Sequence, residues 1–169
     1  MLPPVLEIYV VWHPQDGDGA AVAHSLVQHF HGTPYTGLIG GAVEVYVRSQ
    51  GWRGPSDAPR PIPLPGQQLP NGLPNANLLA VVPVLGTEFG AAVQSGDGPW
   101  HDFAATIRDG QTATPDRVGI FPILLDPGAA DQTELGRLFG GYQRIGQTSA
   151  GSIEPAEDLR CRDLAQGIA

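Results

Sequence analysis

Apolar residues along this chain fall into two kinds of run. Val5–Trp12, Val43–Ser49, Leu78–Leu85 and Arg117–Leu125 are short, rich in β-branched residues and bounded by turn formers, which predicts buried strands. Between the first two, Ala20–Phe30 repeats its apolar positions at helical spacing. Pro99 to about Arg108 does the same, with Trp100, Phe103, Ala104 and Ile107 on one face and the proline in the first turn. Glu88–Val93 and Glu134–Phe139 predict shorter helices, and Tyr142–Ile145 a short edge strand. Pro155 opens a last helix, with Leu159, Leu164 and Ile168 on one face. Strand, polar loop, helix, strand is the grammar of parallel βαβ units. The whole pattern predicts a flavodoxin-like, doubly wound five-stranded parallel sheet flanked by helices. Crossover handedness then places the second strand at an edge and the first inside it.

Two segments disturb this pattern. Gln50–Asn77 carries prolines at 55, 59, 61, 63, 65, 70 and 74, a density that excludes a regular crossover helix and predicts an extended crossing. Pro83 falls inside the third strand, so either it lies near a strand end or the ladder has a local defect there. The last helix has no stop signal. Residues 1–169 are therefore expected to be a single domain forming the N-terminal part of a longer protein.

Composition narrows the function classes. The formal net charge is −8 and all 9 basic residues are arginine, so lysine-dependent chemistry is excluded. The acidic balance argues against a nucleic-acid partner, which calls for a basic stripe. No apolar stretch reaches membrane-spanning length and no basic, apolar leader is present, so the expected compartment is the cytoplasm, with no membrane partner. The one cysteine, Cys161, excludes an internal disulfide and a multi-cysteine metal centre.

Parallel sheets hold ligands just outside the carboxyl ends of their strands. Trp12, His13, Arg48 and Glu88 lie at or just after such ends, which predicts a crevice among them. The alternative is that Trp12 is core and Arg48 pairs with a surface acid. Gly17-Asp-Gly19 resembles the start of a dinucleotide fingerprint, but Val22 stands at the third glycine position. Asp16 and Asp18 would repel a pyrophosphate there, and capping of the first helix is the better account. Of His24, His29 and His31 only His24 and His31 have near-helical spacing, and with no third ligand nearby no metal site is expected. His13 and His101 have no serine or cysteine nucleophile in a recognisable elbow.

The segments LEIYVVWHPQDG (6–17), VEVYVRS (43–49), LLAVVPVLG (78–86), GPWHDF (98–103) and RVGIFPILLD (117–126), in this order and spacing, resemble the bacterial TIR (Toll/interleukin-1 receptor) domain family. The resemblance covers nearly the whole chain. It implies a five-stranded parallel sheet and, in many members, cleavage of NAD+ at the nicotinamide–ribose bond. It also implies a place in anti-phage defence proteins, joined to a sensor or oligomerising module. Trp100 matches the tryptophan of the family's third helix. NAD-cleaving members carry a glutamate four residues further on; this chain has Ala104 there. Asp102 points to another side of the helix, at ~100° per residue, and Glu88 is a second candidate acid.

Two functions follow from the resemblance. One is a TIR-like signalling domain that acts through assembly with itself, or with TIR-like or sensor domains of its parent protein, and needs no cofactor. The other is a hydrolase that takes NAD+ or another nucleotide as substrate. It would use Glu88 or Asp102 as a displaced acid, with Trp12, His13, Arg48 and Trp100 lining the pocket.

Overall fold

The computed structural model describes residues 6–31, 43–49, 58–64, 76–126, 128 and 133–142. Its elements are β1 (Leu6–Val11), α1 (Gly17–His31), β2 (Val43–Arg48), β3 (Leu78–Leu85), α2 (Thr87–Val93), α3 (Pro99–Ala113), β4 (Val118–Ile120), β5 (Ile123–Leu124) and α4 (Glu134–Phe139). All strand pairs are parallel, in the order β2-β1-β3-β4, with β5 also paired to β3. This is the flavodoxin-like strand order, with β2 at the edge and β1 inside.

Alternation along the strands sorts the core into two layers. Ile8, Val10, Trp12, Val82, Val84 and Ile123 pack with Val22, Ala23 and Leu26 of α1 on one face. Tyr9, Val11, Val81 and Leu85 pack with Phe89, Trp100, Phe103, Ile107 and Phe139 on the other, so helices cover both faces and the sheet is doubly wound. A strand buried on both faces needs apolar side chains at every position, which is why Leu78–Leu85 reads as one unbroken apolar run.

Pro83 produces the ladder defect, and the direction of the bonding explains its form. Leu79 N–H donates to the Arg117 carbonyl, and the carbonyls of Val81 and Leu85 accept from Phe121 and Leu125. The odd-numbered residues of β3 therefore bond toward β4 and β5. Pro83 belongs to that series and has no N–H to give. The ladder lapses there, dividing the run Val118–Leu124 into β4 and β5 at Phe121-Pro122. Pro122 falls on the alternate series, which faces away from β3, where a missing donor is tolerated.

The β2–β3 crossing contains an extended strap, residues 58–64, with no helix. Ile62 and Leu64 anchor it in the core against α3. Leu64 is seated on Gly110, where an added β-carbon would come within 2.5 Å of its methyl group. That contact explains why α3 runs on to Ala113 beyond the expected end near Arg108: Gly110 is a notch in the helix and not its terminus. Likewise α1 starts at Gly17, ahead of the expected Ala20. Tyr142 is not in a strand; the rest of the expected edge strand and the last helix lie outside the described residues. Among the described residues, no helix is long and apolar enough to cross a membrane.

Candidate functional site

The polar and aromatic side chains expected at the carboxyl rim of the sheet are parted by the strand's own alternation. Trp12 turns into the α1 layer, where it is 9 % exposed. Its ring lies over Gly19, where a β-carbon would come within 2.6 Å. The second glycine of Gly17-Asp-Gly19 thus makes room for an indole and not for a phosphate. His13 turns the other way and packs at a tilt beside Trp100, with ring centroids 4.9 Å apart. Its Nδ1 accepts the Gln15 N–H at 3.2 Å, which assigns the proton of the neutral ring to Nε2. Burial lowers the His13 pKa, against the opposing fields of Asp16 and Glu88. The imidazole is neutral at neutral pH.

Asp16 does not cap α1. Its two carboxylate oxygens accept the backbone N–H groups of Glu88 at 2.9 Å and Phe89 at 3.0 Å, which caps the start of α2 from the β1–α1 loop. The loop aims it there through two tight turns: Asp16 N–H donates to the His13 carbonyl, and the Asp16 carbonyl accepts from Gly19. Asp18 is the acid left in the first turn of α1. This cap lies between β1 and β3, the point of an open α/β sheet where connections reverse and ligands gather. An internal carboxylate thus takes the backbone N–H groups at the start of α2.

Glu88 is exposed on the same rim, and its neighbour Thr87 donates its hydroxyl to Asp126 at 2.9 Å. Of the four residues expected to converge, His13 and Glu88 share this rim. Arg48 instead lies over the Tyr9 ring, 4.9 Å from its centroid, and donates to the Val47 carbonyl at 3.1 Å. Tyr9 in turn stacks on Tyr46 at 5.0 Å and donates to Glu7 at 3.4 Å. Burial, with Glu7 beside it, pushes the Tyr9 hydroxyl pKa up. The guanidinium therefore closes an aromatic stack between β1 and β2. Trp100 meets Phe89 and Phe103 edge-on at 5.2 and 5.9 Å, and its buried indole Nε1 has no hydrogen-bond partner among the described residues.

Ala104 is 0 % exposed within the core layer under α3. Asp102, by contrast, has a side chain 81 % exposed. It borders a cavity of about 520 Å³ between α3 and the 58–64 strap. His101, beside it, presents Nε2 to Glu134 at 2.8 Å, and Glu134 also accepts from Arg137 Nε at 2.8 Å. The hydrogen bonds from Arg137, and then from His101, hold the Glu134 carboxyl down at about 2. Neither this cluster nor the role of Asp16 was legible beforehand. Glu134 and Arg137 are a readable i, i+3 pair, but no local signal joins them to a histidine 33 residues away.

Among the described residues no group of three His, Cys, Asp or Glu side chains is placed to hold a metal. Among the described residues the rim presents the neutral His13 imidazole, the exposed Glu88 carboxylate and the Thr87–Asp126 pair. The chain is a flavodoxin-like α/β protein; it matches no protein-family model, no curated protein and no solved structure.

Proposed function

We propose that the chain is a cytoplasmic TIR-like signalling domain of a bacterial defence protein. It acts mainly by assembling with copies of itself, or with TIR-like or sensor domains of its parent protein. The observation that carries this reading is the burial of Ala104, 0 % exposed, where the resemblance would put a ribose-orienting carboxylate. Breaking a glycosidic bond to nicotinamide needs a positioned carboxylate against developing positive charge. The two substitute acids do not meet: Glu88 stands on the rim after β3, and Asp102 on the flank of α3. Support for assembly comes from β2, the edge of the sheet, which exposes Tyr46 at 36 % and Val47 at 46 %. An edge strand with exposed apolar side chains is a template for a further strand.

Two measurements on the purified chain test this. Nicotinamide release from NAD+ should be negligible at high protein concentration, and sedimentation should detect self-association that Val47→Lys abolishes. Turnover removed by Glu88→Ala or Asp102→Ala would replace the assembly reading with the NAD+-cleaving one and identify the acid.

A further inference from the structure

The cavity between the strap and α3 has a chemistry of its own, separate from the rim and from the β2 edge. Its volume, about 520 Å³, lies within the ~300–1,000 Å³ range of small-molecule sites. Most of its wall is apolar, with Pro59, Ile62 and Pro99 among the residues facing Phe103. The strap is proline at 59, 61 and 63, so φ is fixed at alternate residues and its backbone is stiffened. Ile62 and Leu64 pin it to the core at 4 % and 8 % exposure. The space is thus held open by rigid rings before any ligand arrives, which lowers the ordering cost of binding.

Only two side chains in that wall are polar, Asp102 and Thr106. The Thr106 hydroxyl donates to the Asp102 backbone carbonyl at 2.8 Å, so its hydrogen is spent within the helix and only lone pairs remain for a guest. The Asp102 carboxylate accepts hydrogen bonds and carries negative charge. His101 Nδ1 lies 3.9 Å from it. Both polar groups accept and neither donates. We infer that this cavity is a binding site for a small organic cation: an ammonium group on an aromatic-sized apolar body, the body between Phe103 and the proline wall, the ammonium on Asp102 and Thr106. A protein of net charge −8 also raises the local concentration of such cations.

Three probes share one body and differ in the charge of the head: phenethylamine, phenethyl alcohol and phenylacetate. Titrated into the full 169-residue chain and followed by amide and methyl chemical shifts, the amine should bind about three- to fivefold more tightly than the alcohol. That is the size of a partly exposed ion pair. Phenylacetate should bind most weakly, and shifts should centre on Phe103, Thr106 and Ile62. Asp102→Asn should remove the preference for the amine while leaving the alcohol's affinity unchanged. Thr106→Phe, which places a ring in the gap from an exposed helix position, should abolish binding of all three. Equal affinities in the wild type, a preference for the amine that survives Asp102→Asn, or shifts centred on His13 and Glu88 would each overturn the site. Because neither β2 nor NAD+ enters the measurement, its outcome is distinct from that of the assembly test.

Discussion

The carboxylate of Asp16 occupies the space that a β-carbon on Gly86 would take. One residue supplies two acceptors to the start of α2, and the other stays bare so that the carboxylate can approach. Gly86→Ala is therefore expected to displace the cap, and Asp16→Ala to leave the Glu88 and Phe89 N–H groups without it. Two charge-assisted bonds at a helix start are worth about 2 kcal/mol or more. Both single variants should lower stability by that order in urea unfolding, and the double variant by little more than either.

Leu64 and Gly110 make a second coupled pair, where a β-carbon on the helix would come within 2.5 Å of the leucine. Gly110→Ala should cost about 1–3 kcal/mol through overpacking, despite the alanine's better helix propensity. In the Leu64→Ala background the same change should cost less than half as much, because the obstruction is gone. A thermodynamic cycle from four unfolding curves measures the difference.

Burial holds the His13 pKa below its ordinary 6.5. The unfolded chain then binds a proton there more readily than the folded one, so stability rises with pH across this window. The contribution is complete above pH 6.5 and is lost as pH falls below it. Glu134, held at about 2, acts in a separate window, its contribution lost as pH falls from 4.5 toward 2. His13→Asn, whose amide oxygen can still accept from Gln15, should flatten the fall in Tm between pH 7 and 5 and leave the fall below pH 4.5 in place.

Ala104→Glu places a carboxylate in a site with 0 % exposure. A buried, unpaired charge costs several kcal/mol. The variant is expected to lose several kcal/mol of stability in urea and to show no more nicotinamide release than the parent chain. A folded variant that cleaved NAD+ would show that α3 can turn this position toward a pocket.

The sheet was legible because its signals are local. β-branched runs and the polar loop between them fix β1, α1 and β2, and the prolines of the crossing exclude a helix there. Pro83 announced a defect, and the register shows which donor is missing. The rim was less legible, for two reasons. Trp12 and His13 are adjacent in sequence, so strand alternation was bound to send them to opposite faces. Asp16 bonds backbone groups 72 and 73 residues away, and a capping acid next to a helix start reads as that helix's own cap. The cavity left no sequence signal beyond the spacing of its prolines, since a gap is defined by what two distant segments fail to fill.

The interruption at Pro83 also divides the molecule mechanically. Below it, β1, β2, β4 and the first half of β3 are joined by a continuous ladder. Above it, Val84 and Leu85 pair with Ile123 and Leu124, and this small patch carries Asp126 and the start of α2. Cooperative units in proteins part where bonding is thinnest. The amides of the upper patch are therefore expected to exchange with solvent sooner than those of the lower sheet, which hydrogen exchange would measure.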